Sequence, residues 1–503
     1  MRISTQVFFQ RNVNSVLDQQ STLNKQNMHL SAQKRVLHGA DDPVAIATIQ
    51  RLKQEVSVGE QYLKNADTAE SVNSLEDTAL TQVTNILQRV RELMVSAGNG
   101  SNSDESRDVI AKELEGLREE LIGVANTKDG NSQYIFSGFQ VDTKPFQTDE
   151  FGDIDYQGDN GVSNYKVGAG VFVQGYDSGS SIFTQISEGN GTFVSELGSN
   201  NSGSGVISEG SVVDTKLARG FTEQDYAITI TEPIAGGEPQ YSVYGVDDSS
   251  ATGGASVKIT SVDLSDPNIG LVNPAATYPD PASDVNIEFL ATATAGEFEV
   301  RIGGIAATPA AIYDSKDTNE QILNINGISV EVDGIPNDTD QFTMTKYVQP
   351  TDYQEGQSIE FNGIKTAIKG DVQNLDSFTL RQSGEKNVFA TIQDTIDSLM
   401  IKGEGGAEKA QRLVAIETGL LQIDNAMGNV SSAHTSVGAR LNTIDNQREA
   451  TLDFNLANQK TLSNIEDLDM AAAISEFQMQ MSMLEISQQT FVKMQSLSLF
   501  QLI

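Results

Sequence analysis

Apolar positions along this chain follow two different periods. In the last quarter, Leu413, Ile416, Leu420, Ile423, Met427, Val430, His434, Val437, Leu441 and Ile444 alternate steps of three and four, with His434 as the polar member. That spacing lays one stripe along a helix and, sustained over several heptads, predicts a long helix with a helical partner. The stripe turns polar at Arg448, Thr451, Asn455 and Asn458 before Leu462 and Ile465 resume it. Candidate partners lie nearer the start. Val83, Leu87, Val90 and Met94 form one stripe, with Ile86 and Leu93 beside it, and Ile110, Leu114, Leu117 and Leu121 form another. Gly98-Asn99-Gly100-Ser101-Asn102-Ser103 between them supplies a helix stop and capping side chains, so the segment reads as a helical hairpin.

The outermost segments carry a different pattern. Val16, Leu23, Leu30 and Leu37 repeat every seven residues, but positions between them are Gln26, Asn27, Gln33 and Lys34. A half-seam of this kind is marginal as an isolated helix in water. The tail has the opposite property: Phe477, Met481, Leu484 and Phe491 occupy one stripe, while Met479, Met483, Ile486 and Leu497 occupy a second. A helix apolar on two sides needs cover on two sides. Val16, Leu23, Leu30, Leu37, Phe477, Met481, Leu484, Phe491, Leu497 and Phe500 are therefore the expected assembly interface, ordering when neighbours supply the missing faces.

Between the helical flanks the period changes to two. Asp225-Tyr-Ala-Ile-Thr-Ile-Thr231, Tyr241-Ser-Val-Tyr244 and Glu297-Phe-Glu-Val-Arg-Ile302 alternate between Gly, Asp and Pro clusters, as half-buried strands do. Leu323-Asn-Ile-Asn-Gly-Ile-Ser-Val-Glu-Val-Asp-Gly334 recurs as Ile359-Glu-Phe-Asn-Gly-Ile-Lys-Thr-Ala-Ile-Lys-Gly370, and Asp340 and Phe342 recur in register as Asp376 and Phe378. Asn-Gly between alternating runs is a hairpin turn signal, so a β-hairpin unit is duplicated. Proline agrees with this division: none lies between Pro43 and Pro145 or after Pro350. The expected fold class is α+β, a long antiparallel helical bundle from both chain ends with a β-rich central domain between them. The expected divisions are terminal segments 1–45 and 465–503, a bundle core of 46–139 with 386–464, and an outer domain 140–385, split near 198–222 and 267–281.

Composition removes several kinds of chemistry. The 503 residues carry 33 Lys and Arg against 69 Asp and Glu, a formal charge of -36, which argues against nucleic acid and anionic membrane surfaces as partners. Cysteine is absent, so disulfides, thiolate metal sites and Cys nucleophiles are absent too. Met1 to Val13 lacks the apolar stretch of a cleaved secretory signal, and no run of apolar residues is long enough to span a membrane. Three histidines, His29, His38 and His434, cannot form a His-Glu-x-x-His helix. His434 on the seam reads as a packed residue with a local hydrogen bond. Asp153-Ile-Asp155-Tyr-Gln157-Gly158 imitates the opening of a calcium loop, but its twelfth position is Asn164 instead of a bidentate Glu, so a hairpin turn is expected. Gly403-Glu-Gly-Gly406 lacks the Lys-Ser/Thr ending of a phosphate loop and reads as a helix connection. No catalytic, cofactor or metal site is expected.

Five motifs in order resemble the flagellin superfamily: Gln33-Lys-Arg-Val-Leu-His-Gly-Ala-Asp-Asp-Pro-Val-Ala45, Leu87-Gln-Arg-Val-Arg-Glu-Leu93, Gln133-Tyr-Ile-Phe-Ser-Gly138, Val437-Gly-Ala-Arg-Leu-Asn442 and Ser496-Leu-Ser-Leu-Phe500. Arg35, Asp41, Asp42, Pro43, Arg89, Arg91, Gly438 and Arg440 carry the motif positions. Asp41-Asp42-Pro43 resembles the hook-filament junction branch of the superfamily, whereas filament flagellins continue Asp-Asp-Ala-Ala-Gly. The resemblance implies an extracellular structural subunit, exported through the flagellar secretion channel with a chaperone. It also implies assembly with copies of itself, with hook-associated protein 1 and with flagellin. A filament subunit and an adhesin carried by the central domain are the competing expectations.

Overall fold

The computed structural model describes residues 5–100, 102–149, 152–218, 224–232, 237–247, 251–263, 266, 285–317, 321–403 and 405–500. Six helices are named here: α1 Thr5–Ala32, α2 Pro43–Ala97, α3 Asp104–Ala125, α4 Val388–Met400, α5 Gly406–Glu466 and α6 Met470–Phe500. The chain forms two compact units: Met1–Asn73 with Asn164–Gly175 and Ala439–Ile503, and Ser74–Ser163 with Tyr176–Gly438. The expected boundary at 267–281 lies outside the described residues.

In the first unit, α2 starts where Asp42 Oδ1 accepts hydrogen bonds from the Val44 and Ala45 amides, with Pro43 as the first helical residue. This is an N-cap followed by the residue that has no amide to satisfy. α2 and α5 then run antiparallel: Lys53 meets Glu466, Glu55 meets Asn458, and Arg448 meets Asp67 and Glu70. The polar stretch of the seam is buried all the same, with Thr451, Asn455 and Asn458 each less than 9% exposed. Gly59 lies so close to Asn455 that an added Cβ would stand 2.2 Å from its Oδ1. Nearer the unit's other end, a hairpin of Asn164–Gly168 and Val171–Gln174 lays Val167 and Val173 on Ala66, Ala69 and Ile444.

In the second unit, Leu80, Val83, Leu87, Val90 and Met94 of α2 are buried, as are Ile416, Ile423, Val430 and Val437 of α5. Leu413, Leu420 and Met427 flank that line half-buried, as Leu441 does in the first unit, where Ile444 continues it buried. His434 corrects the expectation of a packed seam residue: its side chain is 44% exposed, and Nε2 lies 2.8 Å from Asp77 Oδ1. Ser103 caps α3 and Asn387 caps α4. Gly419 allows close approach, since a Cβ would stand 2.5 Å from Met94 Cε and 2.7 Å from Thr395 Oγ1. Asp153 lies beside the hairpin of Phe146–Thr148 and Ile154–Tyr156, with its amide donating to Asp149 Oδ1.

An eight-stranded antiparallel sheet forms the β-rich middle. Its order is Ile305–Asp314, Glu297–Ile302, Val285–Ala291, Gln341–Asp352, Gln240–Asp247, Gln224–Thr231, Ser377–Gln382 and Phe193–Leu197. Two smaller sheets cover it. One contains Ser256–Val262, Ile328–Asp333 and Gln321–Ile325; the other contains Ser358–Phe361 and Ile364–Lys369 with Val206–Ile207 and Ser211–Val212. Each makes its own core, the first around Phe289 and Phe342 and the second around Tyr226 and Phe378.

The repeated hairpin is one part of a larger duplication. Asp340 accepts from the Asn337, Thr252 and Gly253 amides, and Asp376 accepts from the Gln373, Ser202 and Gly203 amides. The Gly254 amide bonds to Ile335 O where that of Ser204 bonds to Asp371 O. Positive φ recurs at Asn326 and Asn362, Gly327 and Gly363, Gly334 and Gly370, and Thr339 and Leu375. The second copy, beginning near Thr252 and ending in Gln341–Asp352, is inserted between strands Gln240–Asp247 and Ser358–Phe361 of the first. Lys346, on the strand where the copies join, is only 4% exposed and lies opposite Tyr244 with its Nζ 5.4 Å from the ring centroid. It forms no ion pair among the described residues, and burial lowers its pKa to about 8.

Candidate assembly site

α1 and α6 leave the first unit from one hub. Gln33 turns the chain with φ 57°, the Leu468 amide donates to Gln33 O, and the Arg35 amide donates to Glu466 O. The Arg35 guanidinium donates to Ile465 O through Nε at 3.1 Å and Nη2 at 2.9 Å, satisfying a carbonyl at the end of α5. Glu466, with its side chain 8% exposed, receives Lys34 and Lys53, the latter at 2.8 Å. Burial pushes its pKa up, but the hydrogen bonds from Lys34 and Lys53 outweigh that, leaving it below the usual carboxylate value. Asp41 Oδ2 closes the neighbouring turn by accepting from the His38 and Leu37 amides, which lower its pKa. Arg35, Asp41, Asp42 and Pro43 thus build the hub and the start of α2.

Beyond the hub, α1 and α6 lie against each other. Val16, Gln19, Leu23, Gln26 and Leu30 are the half-buried stripe of α1, and Phe477, Gln480, Leu484, Ser487 and Phe491 that of α6. Apolar layers therefore alternate with polar ones, glutamine at three of the four polar positions. The Oε1 atoms of Gln19, Gln26 and Gln480 are withdrawn from solvent without a hydrogen-bond partner. Each such orphan costs roughly 1–3 kcal/mol, so the pair is weakly held. The other side of α6 is open: Met479, Met481, Met483, Ile486 and Val492 are all at least half exposed.

Met481 is thus exposed, unlike the three residues grouped with it in the sequence. Leu37 is half-buried in the hub turn, and the side chains of Leu497 and Phe500 lie outside the described residues. Gln26 was among the polar seam positions of the sequence, whereas Gln19 and Gln480 were not singled out; a polar residue at every second seam position was their signal. Among the other motif residues, Arg89 pairs with Glu113 and Glu92, Arg91 with Asp424, and Arg440 Nη1 donates to Gly175 O. Gly438 has open space around a Cβ and no conformational demand for glycine. No group of three or more potential metal ligands occurs among the described residues. No described helix is long and apolar enough to cross a membrane.

The hub thus ties α1 and α6 into one helical pair with an uncovered apolar side. Residues 3–141 match the family model of the bacterial flagellin N-terminal helical region, so the chain carries that region. It is 37% identical over 150 residues to flagellar hook-associated protein 3 of Escherichia coli, a match spanning 30% of this chain and 47% of that one. It is 35% identical over 186 residues to flagellar hook-associated protein 3 of Salmonella typhimurium, spanning 37% and 58% respectively. The chain thus spans about half the length of the curated relatives it matches. The Bacillus subtilis flagellin is 30% identical over 146 residues, spanning 28% and 48%. Among solved structures, flagellar hook-associated protein 3 from Legionella pneumophila matches with TM-score 0.60 and 25% identity, over 83% of this chain and 99% of that one. The fold is that of this solved structure over the aligned part, which leaves about a sixth of this chain outside it.

Proposed function

We propose that this chain is a structural subunit of the bacterial flagellum at the hook-filament junction, and not an enzyme. Its α1/α6 pair packs against copies of itself, against hook-associated protein 1 on one side and against flagellin on the other. The observation that carries the reading is the terminal pair itself, apolar on an exposed side and interrupted by glutamines within. Such a pair gains most of its stability when neighbouring helices cover it. Val16, Leu23, Leu30, Leu37, Phe477, Met481, Leu484, Phe491, Leu497 and Phe500 are the proposed interface, and Leu413 to Ile444 the seam that holds the subunit together. A location outside the cell, reached through the flagellar secretion channel with an export chaperone, follows from the same reading.

Fluorescent labelling of a cysteine placed on the central domain tests it. A single spot at the boundary of hook and filament is expected. A continuously labelled filament would replace the junction reading with a filament subunit. Truncation to residues 33–469 should leave a folded, soluble chain that no longer joins the flagellum. Strong hydrogen-exchange protection of α1 and α6 in the free monomer would refute the claim that neighbours stabilise them.

A further inference from the structure

The nested duplication assigns a role to one strand that has no counterpart in the first copy. In the first copy, Gln240–Asp247 offers its free edge to Gln341–Asp352 of the second, and seven register pairs join the two modules into one sheet. The matching strand in the second copy is Glu297–Ile302: Tyr241 opposes Ile230 as Val300 opposes Phe289, and the amides of Ile230 and Phe289 bond to the carbonyls of Asp376 and Asp340. Here the chain does not run on into another module. It turns at Gly303 and Gly304, both with positive φ, and folds its own Ile305–Asp314 onto the edge.

That added strand is held unevenly: Tyr313 near its end is buried in the core and its hydroxyl donates to Gly334 O, but the pairing before it is broken. Its register jumps from Ala306, opposite Arg301, to Ala311, opposite Val300, so residues 307–310 with Pro309 loop out. No charged residue occurs from Ile302 to Tyr313, in a chain of net charge -36. The strand it covers does carry charge, at Glu297, Glu299 and Arg301, and such an edge left unfilled is a template for another strand. Proline and a bulge on the outer strand oppose further pairing.

We propose that Glu297–Ile302 is an acceptor edge for strand addition and that Ile305–Asp314 is its plug. The partner the edge fits is a second copy of this chain, because the same module position within the chain already receives a module of the same kind. With the plug in place the series ends at two modules.

The test uses the full chain with residues 305–314 replaced by a Gly/Ser stretch of equal length, compared with the unaltered chain by sedimentation velocity and hydrogen exchange. A concentration-dependent dimer is expected where the unaltered chain gives none, with the amides of Glu297–Ile302 at least about tenfold better protected in the dimer than in the diluted monomer. Saturating synthetic peptide of sequence 305–314 should return the variant to monomer. A variant that keeps the β-sheet circular dichroism and sediments like the unaltered chain overturns the proposal, as does a dimer that the peptide does not dissolve. Should the replacement unfold the second copy, the unaltered chain decides. Amides of Ile305–Asp314 exchanging at least about tenfold faster than those of Gln240–Asp247 support a removable plug, and equal protection overturns it.

Discussion

Replacing Lys346 by Met should stabilise the β-rich middle. The ammonium is buried opposite Tyr244 with no carboxylate in ion-pair range among the described residues, and its pKa falls to about 8 from 10.5. At about 1.4 kcal/mol per pKa unit, carrying that charge inside costs about 3 kcal/mol at pH 7. The ring of Tyr244 returns a little through cation-π attraction. Met has a similar length and no charge, and removing a buried unpaired charge in favour of an apolar side chain is stabilising. With no tryptophan and 12 tyrosines, near-ultraviolet tyrosine dichroism follows unfolding in urea. The midpoint for Lys346→Met should rise by roughly 1 M for an m-value of about 2–3 kcal/mol/M. The sign with pH is fixed as well. A lysine with depressed folded pKa contributes stability above its unfolded pKa and loses it as pH falls through the folded one. The difference between variant and parent should therefore be full below pH 8 and shrink by pH 10. Comparing the two chains cancels the buried tyrosines, whose pKa values burial raises. A variant no more stable at pH 7, or an advantage unchanged between pH 7 and 10, would refute the reasoning.

Gly59→Ala should cost about 1–3 kcal/mol because its Cβ meets the Asn455 amide, and Asn455→Ala in the same chain should recover most of the loss; additive losses in thermal unfolding would show the contact is not the cause. Asp42→Ala removes the α2 cap and should cost about 1 kcal/mol, read from the helical dichroism melt. Asp340→Ala and Asp376→Ala should destabilise by similar amounts, about 1–3 kcal/mol each, because each carboxylate holds three matching backbone amides. For Asp340, burial raises the pKa but the amides of Asn337, Thr252 and Gly253 lower it further, so its contribution should persist at neutral pH and disappear as pH falls through the depressed value. Acid titration of parent and Asp340→Ala, converging at low pH, checks this.

The helices and the β-rich middle were legible because a buried stripe repeats along a helix or alternates along a strand at every turn. Burial of Thr451, Asn455 and Asn458 was not, since polar residues at seam positions read equally well as a frayed end. His434 misled for the converse reason: it keeps heptad spacing, but its partner Asp77 stands at the solvent edge of the seam. Duplication was visible only in the hairpin and the Asp-x-Phe that follows, where Asn-Gly turns and an amide-binding carboxylate demand particular residues. The strands Gln224–Thr231 and Val285–Ala291 occupy equivalent places with unrelated side chains, because a sandwich core constrains alternation and volume more than identity. At the assembly site, both apolar stripes of α6 were legible, but not which one α1 covers, because that depends on register between segments hundreds of residues apart.

Where polarity sits in this helical framework follows a gradient. From Leu80 to Met94 and from Ile416 to Val437 the buried lines of α2 and α5 are apolar but for Gln422, whose Nε2 donates to Ile186 O. Nearer the hub the buried line of α5 becomes Thr451, Asn455 and Asn458, and past the hub α1 and α6 alternate apolar layers with polar ones, where the carbonyls of Gln19, Gln26 and Gln480 find no donor. Each step toward the chain ends thus replaces burial worth about 1.5–3 kcal/mol per side chain with groups that contribute little or cost free energy. Local opening should accordingly start at α1 and α6 and reach the seam around Asn455 before the apolar section. A terminal pair made wholly apolar would close on itself or collect partners indiscriminately, whereas one with glutamine layers discriminates by register. Replacing Gln19, Gln26 and Gln480 together by Leu should therefore protect α1 and α6 in the isolated chain and impair its incorporation into the flagellum; improved incorporation would show that the glutamines do not set the register.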